Sequence, residues 1–345
     1  MNLEPVAVVG ASGYSGEELV RLLSRHPGVD LVALTSRQLS GQTVETVFPR
    51  FAGMRYAHLP FIESEVDKIV ASGARYVFLA LPHGVAAEFA VPLVAAGLRV
   101  IDLSADFRIK DPAVYQEFYG EALHAPELAA ISVYGLPEIY REQIRTARLV
   151  ASPGCYPTSA IVPLYPLLQR RLLQPESIII NSLSGVSGAG RSARADLLYV
   201  ECNESVRAYS VPKHRHLGEI EQELSLAYGE TVTVSFTPHL VPVNRGIVTT
   251  IHALPAEGVG LAEITFAMHA AYANEPFIRL LGEKGSPDTK NVTLTNFVDV
   301  GWRYDARTGR VILLSAEDNL VKGAAGQAVQ SLNVMCGWPE TTALL

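Results

Sequence analysis

Strand-like and helix-like patterns of apolar residues alternate along the first 150 positions. Short runs of β-branched and other apolar residues predict buried strands, and leucines and alanines at helical spacing predict the helices between them. The predicted strands are Val6–Val9, Leu31–Thr35, Tyr76–Leu81 and Arg99–Leu103, and the predicted helices are Ser15–Ser24 and Val85–Ala96. Such alternation builds a parallel sheet covered by helices on both faces. We therefore predict an α/β domain with a doubly wound parallel sheet.

After residue 150 the runs become longer and richer in Thr, Val and Ile, and some of them alternate with polar residues. The predicted strands are Ser177–Leu183, Thr231–Leu240, Gly246–Ala253, Asn291–Val300 and Arg310–Ala316, and the predicted helices are Leu217–Tyr228 and Leu261–Tyr272. This texture favours a mixed or antiparallel sheet with helices on one face. A last helix is predicted from Leu320 to Met335, with Asp318 or Asn319 as its N-cap.

Length, composition and charge narrow the functional classes. A chain of 345 residues is long enough for two domains, and 48% hydrophobic with 18% charged residues is typical of a soluble globular protein. A formal net charge of −7 without a local Lys/Arg cluster argues against a nucleic-acid surface. The first residues do not resemble a signal peptide, and no apolar stretch is long enough to cross a membrane. We expect a cytoplasmic protein with no membrane partner.

A glycine-rich segment, GASGYSG at residues 10–16, follows the first strand and opens the first helix. Glycine permits a tight turn and a close approach to a pyrophosphate, to which the helix N-terminus offers N–H groups. The spacing differs from the commoner GxGxxG, and a glycine turn without a ligand is the alternative. The predicted dinucleotide-binding residues of this turn are Gly10, Ser12, Gly13, Tyr14, Ser15 and Gly16.

The end of the second strand indicates which dinucleotide is bound. An NAD site usually has an acidic residue here, which holds the ribose hydroxyls. This chain has Ser36 and Arg37 instead, and a hydroxyl with a guanidinium suits a 2′-phosphate. We therefore predict NADP, with Ser36 and Arg37 as ligands; the alternative is that Arg37 is only a solvated loop cation.

Of three widely spaced cysteines, one has surroundings that suggest reactivity. The odd number and the lack of a CxxC pair suit free thiols in a reducing compartment. In SPGCYPT at 152–158, a Pro-Gly turn precedes Cys155, and Pro157 suits the first turn of a helix predicted over Thr158–Gln169. A helix N-terminus lowers the pKa of a thiol, which favours a nucleophilic Cys155 over a merely buried one. Cys202 and Cys336 lack such a setting and are interpreted as structural.

A second cluster, KHRHLGEIE at 213–221, places two histidines just before an amphipathic helix. Histidine titrates near neutral pH and can exchange protons during thiol chemistry. A zinc site would need further ligands, which the spacing does not supply, so we predict no metal. We favour His216 over His214 as the acid/base, because it directly precedes the helix that bears Glu219.

Several segments are suited to an anionic substrate. SGVSGAGR at 184–191 can wrap an anion with backbone N–H groups and close on it with an arginine. A second arginine lies in Asn244–Gly246, and DLSADFR at 102–108 ends a parallel strand, where open α/β sheets bind ligands. The predicted substrate-binding residues are Arg108, Ser184, Gly185, Arg191 and Arg245.

Together these segments resemble the N-acetyl-gamma-glutamyl-phosphate reductase family, within the wider semialdehyde dehydrogenase group. The matching segments run in order along nearly the whole chain, and SPGCYPT with HRHxxEI is the most specific combination. The segments that carry the resemblance are GASGYSG (10–16), DLSADFR (102–108), YGLPE (134–138), SPGCYPT (152–158), GVSGAGR (185–191), KHRHLGEIEQ (213–222), PVNRGI (242–247) and DNLVKGAAGQAVQ (318–330).

The resemblance implies an enzyme of arginine biosynthesis that reduces N-acetyl-glutamyl 5-phosphate to the 5-semialdehyde with NADPH and releases phosphate. Cys155 would form a thioester, a histidine of the 213–216 cluster would act as acid/base, and Asn319 would join the cofactor ligands. The implied fold is a Rossmann domain over residues 1–150, completed by the helix at 318–345, and a catalytic and oligomerisation α+β domain over 151–317. A homodimer or homotetramer is expected.

Three alternatives stay open at this point. The first is the matching step of lysine synthesis on a carrier protein, the reduction of a carrier-bound aminoadipyl phosphate, which should require a basic rim that this acidic sequence does not suggest. The second is aspartate-semialdehyde dehydrogenase, against which HRHxxEI argues. The third is a non-catalytic NADP-binding regulator, which the setting of Cys155 disfavours.

Overall fold

The computed structural model describes residues 3–345, which form two compact units. The parallel-sheet unit comprises residues 3–113, 122–153 and 324–345, and the mixed-sheet unit comprises residues 114–121 and 154–323. Residues 318–323, expected in the first domain, are part of the mixed-sheet unit, as is the short segment 114–121.

Residues 3–345 contain fourteen strands and twelve α-helices. The strands are β1 (Glu4–Val9), β2 (Val29–Thr35), β3 (Phe61–Ile62), β4 (Tyr76–Leu79), β5 (Arg99–Asp102), β6 (Val133–Tyr134), β7 (Leu149–Ala151), β8 (Ile179–Gly185), β9 (Arg207–Ala208), β10 (Ser235–Val241), β11 (Ile247–Ala253), β12 (Ile278–Gly282), β13 (Val298–Asp305) and β14 (Arg310–Glu317). The helices are α1 (Tyr14–Leu23), α2 (Val44–Val47), α3 (Val66–Ala71), α4 (Ala86–Ala95), α5 (Pro112–Tyr119), α6 (Pro126–Ile131), α7 (Pro137–Thr146), α8 (Cys155–Gln169), α9 (Tyr199–Cys202), α10 (His216–Tyr228), α11 (Leu261–Tyr272) and α12 (Gly326–Cys336).

The parallel-sheet unit has the strand order β3-β2-β1-β4-β5-β7-β6, and every pair of neighbours is parallel. Its central strands are buried on both faces, as the continuous apolar run at Val6–Val9 predicts. The strand order reverses between β1 and β4, a switch point of the kind at which open sheets bind ligands. The predicted doubly wound sheet is confirmed.

The mixed-sheet unit has the order β12-β13-β14-β11-β8-β10-β9, with β8 parallel to β10 and β11 antiparallel to both β8 and β14. Helix α8 packs on β11 and β14 and against α10 and α11, so these helices share one face of the sheet. On the other face lie half-buried or exposed side chains such as Leu183 and Ile312. The predicted mixed sheet with helices on one face is also confirmed.

Among the predicted elements whose bounds differ from the structure, two differ for identifiable local reasons. The strand predicted from Asn291 begins only at Val298, because Leu294 has a φ of 64° and donates its N–H to Asp318 Oδ2 at 2.7 Å. The last helix begins with a π-helical turn, Val321–Ala325, before α12. Asp318, rather than Asn319, caps it, since Asp318 Oδ1 accepts from the N–H groups of Leu320 and Val321.

Candidate functional site

Cys155 is the first residue of α8, three positions earlier than the predicted helix start. Pro157 fits the first turn because the first four N–H groups of a helix have no intrahelical acceptor. Gly154, the N-cap, donates its N–H to Glu219 Oε1 at 2.8 Å. Glu219 is fully buried on α10. A carboxylate of one helix therefore fixes the start of the helix that carries the thiol.

Gly323 packs directly against the thiol residue. A Cβ atom on Gly323 would lie 2.7 Å from Cys155 Cβ and 2.9 Å from Glu317 Oε1. Glu317 is fully buried at the end of β14. Sequence reasoning missed both residues, although Gly323 lies in the DNLVKGAAG segment that was singled out.

The two histidines of the 213–216 cluster have different surroundings. The ring of His214 is buried and packs edge-on against Tyr156 and Tyr209, with centroids 5.3 and 5.5 Å away. Burial, with a smaller contribution from Arg215, lowers the pKa of His214 to about 4. Its Nδ1 accepts the N–H of His216 at 3.1 Å, so neutral His214 caps α10 while the half-buried His216 is the first residue of that helix.

Tyr156 and Tyr209 form a hydroxyl pair beside these rings, with 2.8 Å between the oxygens. Burial raises the pKa of Tyr209 to about 12 and raises that of Tyr156 as well. Both hydroxyls therefore remain protonated and able to donate hydrogen bonds. Tyr209 lies in a loop without periodicity, which is why the sequence pattern did not indicate it.

Cys155 and His216 line one cavity of about 470 Å³ within the mixed-sheet unit. Its wall carries one acidic residue, Asp196, and four basic ones: Arg194, Arg207, Lys213 and Arg215. The guanidinium of Arg194 binds both oxygens of Asp196, at 3.0 and 2.7 Å. Lys213 pairs with Glu117 at 2.9 Å. The excess of cations suits an anionic ligand. The sequence did not suggest a basic rim, because Arg194 and Arg207 lie apart from Lys213 and Arg215 in sequence and join them only on folding.

The structure brings some of the predicted substrate residues to this cavity and places others elsewhere. Ser184 and Gly185, at the end of β8, line it. Arg191 is exposed, and Arg245 lies 3.6 Å from Asp318 Oδ2. Neither arginine is among the described residues that line the cavity. Arg108 belongs to the parallel-sheet unit, where it is buried and donates to the Leu103 carbonyl at 2.8 Å.

The glycine turn of the parallel-sheet unit has the geometry that a dinucleotide requires. Gly10 has a φ of 78°, and a Cβ atom there would lie 2.5 Å from the Ala80 carbonyl oxygen. A Cβ atom on Gly16 would lie 2.6 Å from Ala11 Cα, so this glycine serves close helix–strand packing. Gly13 is the N-cap of α1, and a Cβ atom there would lie 3.8 Å from the Gly10 carbonyl oxygen, the nearest atom for this comparison in the described chain. An uncrowded helix N-terminus of this kind fits a pyrophosphate, beside Tyr14 and Ser15 in the first turn.

Hydroxyl groups and a cation surround the end of β2. The hydroxyls of Ser12 and Ser36 are 3.2 Å apart, and Thr35 Oγ1 accepts the Gly10 N–H at 3.4 Å. Arg37 is exposed, and within residues 3–345 its guanidinium has no ion-pair partner. These residues fit a phosphate on the ribose.

Asn319 lies in the mixed-sheet unit and is 2% exposed. Its Oδ1 accepts the Gly246 N–H at 2.8 Å, and its Nδ2 donates to Ser187 Oγ at 2.9 Å. Both ends of the carboxamide are therefore engaged within this unit. The predicted role of Asn319 in cofactor binding stays a prediction.

Neither a metal centre nor a membrane-spanning element is evident within residues 3–345. The described side chains contain no group of three or more His, Cys, Asp or Glu residues arranged to hold a metal ion. No helix in this part of the chain is long and apolar enough to span a membrane.

Two family models match consecutive parts of the chain. Residues 5–147 match the semialdehyde dehydrogenase NAD binding domain, and residues 155–319 match the semialdehyde dehydrogenase dimerisation domain. Curated relatives named N-acetyl-gamma-glutamyl-phosphate reductase include those of Akkermansia muciniphila, 59% identical over 98% of each chain, and Rhodospirillum rubrum, 51% identical over 98% of this chain and 96% of the relative.

Solved structures with the same fold include aspartate semialdehyde dehydrogenases. The enzyme II of Vibrio cholerae, complexed with ASA, has a TM-score of 0.73 at 20% identity and covers 98% of this chain and 99% of its own. The enzyme of Candida albicans, solved with NADP, has a TM-score of 0.74 at 16% identity and covers 97% and 99%. At these identities the likeness concerns the fold.

Proposed function

This chain belongs to the N-acetyl-gamma-glutamyl-phosphate reductase family, and we propose that it reduces N-acetyl-L-glutamyl 5-phosphate to N-acetyl-L-glutamate 5-semialdehyde and phosphate, with NADPH, in arginine biosynthesis. The observation that carries the proposal is one cavity lined by Cys155, His216 and four cations. A thiol at a helix N-terminus is a nucleophile, and the cations suit an acyl phosphate.

Cys155 begins the reaction. His216 accepts the thiol proton, the thiolate forms a bond to the acyl carbon, and the bond from that carbon to the phosphate oxygen breaks. The proton held by His216 passes to the departing phosphate. The product of this half-reaction is a thioester on Cys155, with inorganic phosphate released. His214, with its low pKa, stays neutral and holds the start of α10 in place.

When bound, NADPH supplies the hydride that reduces the thioester carbon. The N–H groups at the start of α8 stabilise the negative charge that develops on the oxygen of the thioester carbonyl. The carbon–sulfur bond then breaks, the aldehyde leaves, and the Cys155 thiolate takes up a proton from solvent to regenerate the thiol. The residues that would hold the cofactor are the Gly10–Gly16 turn, Ser36 and Arg37. Asn319 is the remaining candidate ligand.

The assay for this function is phosphate-dependent reduction of NADP with N-acetyl-glutamate semialdehyde as substrate. We expect turnover by the wild type and none by Cys155→Ala, which should still fold and bind NADPH, because no neighbouring group replaces the thiol. A wild type that fails to reduce NADP under these conditions, or a Cys155→Ala variant that turns over, would refute the proposal.

The choice of NADPH over NADH depends on the end of β2. Removing the guanidinium in Arg37→Ala should weaken NADPH binding by about 1.5–3 kcal/mol, as expected for a hydrogen bond to a charged group. NADH binding should barely change. Titration of both cofactors into wild type and variant measures this difference, and equal affinities of the wild type for the two would contradict the proposal.

One observation favours a second candidate, the carrier-bound aminoadipyl phosphate reductase. The cations on the cavity wall provide the basic rim that docking of an acidic carrier protein requires. However, Arg194 is already paired with Asp196 and Lys213 with Glu117. The names of relatives at 48–59% identity favour the free substrate. Turnover of N-acetyl-glutamate semialdehyde without any carrier protein distinguishes the two.

We also propose that the protein acts as a homo-oligomer, a dimer or tetramer, in the cytoplasm. The match of residues 155–319 to a dimerisation domain supports self-association. The sheet face of the mixed-sheet unit opposite the helices carries apolar side chains such as Leu183, Ile179 and Leu314, which suit a second copy. Three cysteines, none of them in a disulfide, suit a reducing compartment. Sedimentation of wild type and Leu183→Glu measures the oligomeric state of each and so tests whether this face mediates self-association.

A further inference from the structure

The helix that begins at Cys155, α8, contains two internal prolines, Pro163 and Pro166. Proline has no N–H, so the carbonyl four residues before each proline loses its usual helical donor. These carbonyls belong to Ser159 and Val162, about one and two turns after the thiol residue, and both residues are fully buried. A buried carbonyl without a donor is costly, so each needs a partner from outside the helix.

Hydroxyl groups of neighbouring elements supply both missing donors. Ser315, on β14, donates its Oγ–H to the Ser159 carbonyl at 2.7 Å. Tyr272, the last residue of α11, donates its hydroxyl to the Val162 carbonyl at 2.8 Å. Both donors are buried. Each proline therefore opens a carbonyl at which another element of the mixed-sheet unit holds α8.

The side chain of Ser159 is held as well, by a chain of buried hydroxyls. Its Oγ–H donates to the Tyr156 carbonyl at 2.9 Å, and its Oγ lies 2.8 Å from Thr249 Oγ1. Thr249 Oγ1 lies 2.7 Å from Ser182 Oγ. A hydroxyl has one hydrogen, and that of Ser159 is used on the carbonyl, so Thr249 donates to Ser159 and Ser182 donates to Thr249. Strands β8 and β11 thus hold the same residue that β14 holds through its carbonyl.

Ser159 is the point at which these contacts reach the thiol. It follows Cys155 by four positions, so the two residues share one face of α8. The direction of the first-turn N–H groups, which favour the thiolate, depends on how this turn is held. Val162, in contrast, lies seven positions from the thiol residue, in the middle of the helix.

We propose that Ser315 and Thr249 are positioning residues for the nucleophile: their hydroxyls fix the first turn of α8 on the sheet and hold Cys155 at the cavity. Neither residue is among the described residues that line the cavity, so both act through Ser159. The inference rests on the proposed function for the role of Cys155 as nucleophile.

The test is the rate at which iodoacetamide alkylates Cys155, with the modified cysteine identified by peptide mass spectrometry, measured together with kcat and KM. In Ser315→Ala the alkylation rate at neutral pH should fall about tenfold, as expected if a loosened first turn raises the thiol pKa by about one unit. The value of kcat should fall with it. KM for N-acetyl-glutamate semialdehyde should stay within about twofold of wild type, because no group on the cavity wall has changed.

Thr249 gives a second, isosteric pair of variants. Thr249→Val keeps the shape of the side chain but removes the donor to Ser159, and should slow alkylation in the same direction as Ser315→Ala. Thr249→Ser keeps the hydroxyl and should restore the wild-type rate. Should Ser315→Ala fail to fold, this pair decides the inference by itself.

Tyr272→Phe is the matched control, because it removes a hydroxyl from the other proline-opened carbonyl of the same helix. It should lower the denaturant midpoint about as much as Ser315→Ala does, since each variant leaves one buried carbonyl without its donor. The alkylation rate of Cys155 should nevertheless stay at the wild-type value. An equal loss of reactivity in Tyr272→Phe and Ser315→Ala would overturn the inference, because general loosening of α8 would then explain both. Wild-type reactivity in Ser315→Ala and Thr249→Val would overturn it as well.

The failure of this inference is distinguishable from that of the proposed function, because alkylation requires no substrate. If the wild type does not turn over N-acetyl-glutamate semialdehyde, but Ser315→Ala slows alkylation and Tyr272→Phe does not, the assigned substrate is wrong and the positioning role stands. If the wild type turns over the substrate and Ser315→Ala is alkylated at the wild-type rate, the positioning role is wrong.

Discussion

At the residue scale, His214 and His216 show how two similar side chains acquire different roles. They are two positions apart, and in an extended segment both would point the same way. Here the chain turns into α10 at His216, so His214 is left outside the helix, buried among aromatic rings. Burial disfavours its charged form, and its Nδ1 is occupied by the His216 N–H. We therefore propose His216, rather than His214, as the residue that exchanges a proton with the thiol.

His216→Asn should therefore lower kcat by about 10²–10⁴-fold, the usual contribution of general acid/base catalysis. The measurement is kcat together with the rate of Cys155 alkylation against pH. If His216 activates the thiol, its loss should shift the apparent thiol pKa upward, and in the double variant with Cys155→Ala it should add nothing. A shift in His214→Asn alone would reverse the assignment.

We expect two glycines of the nucleotide turn, Gly16 and Gly13, to have separable roles. Gly16→Ala would force a Cβ atom to within 2.4 Å of the Gly10 carbonyl oxygen and should destabilise the fold by about 1–3 kcal/mol, the usual cost of overpacking. Gly13→Ala meets no protein atom closer than 3.8 Å within residues 3–345, so its stability should match wild type while NADPH binding weakens. Thermal unfolding and NADPH titration of both variants check this. Equal effects on stability would contradict the division of roles.

At the scale of elements, Glu219 connects the start of the thiol helix α8 to α10. Glu219→Ala would leave the buried Gly154 N–H without its acceptor, at a cost of about 1–3 kcal/mol. Glu219→Gln retains an oxygen at this position and should recover part of that stability. Denaturant unfolding of the two variants measures the difference. If both lose equal stability, the charge of Glu219 matters rather than this hydrogen bond.

Elements with a regular apolar period were predictable from sequence, and those fixed by tertiary contacts were not. The range Leu261–Tyr272 was predicted for α11, and α10 differs from its prediction only at His216. Helix α5 was missed because it is fixed by packing against the 213–218 segment. A Cβ atom on Gly218 would lie 2.6 Å from the Phe118 ring. No local sequence pattern predicts such a contact.

The candidate site follows the same rule. Cys155 and the histidines stood out because turn and helix-start residues surround them in sequence. Arg194 and Arg207 did not, since they lie in a segment without periodicity and converge only around Asp196. Arg245 was expected at the substrate, but it lies beside Asp318, which is 73 positions further along the chain.

At the scale of the whole molecule, two buried groups give stability opposite dependences on pH. Burial raises the pKa of Asp102, in the parallel-sheet unit, to about 7, and lowers that of His214, in the mixed-sheet unit, to about 4. Between the unfolded value of 3.8 and about 7, the native state holds a proton on Asp102 that the unfolded state has released, so stability falls as pH rises. Between about 4 and 6.5, the unfolded state holds a proton on His214 that the native state lacks, so stability rises with pH.

Substituting either group should expose the contribution of the other. Relative to wild type at each pH, the stability of Asp102→Asn should increase by roughly 3 kcal/mol between pH 4.5 and 6.5, because the falling contribution is gone. The stability of His214→Asn should decrease by roughly the same amount over that range, because the rising contribution is gone. Denaturant unfolding at several pH values measures both, and comparison with wild type cancels the titration of all other groups. If the two units unfold separately, the wild type itself should show two transitions that move in opposite directions with pH. If the stability of both variants changes with pH in the same way as that of wild type, neither Asp102 nor His214 has the shifted pKa that its burial implies.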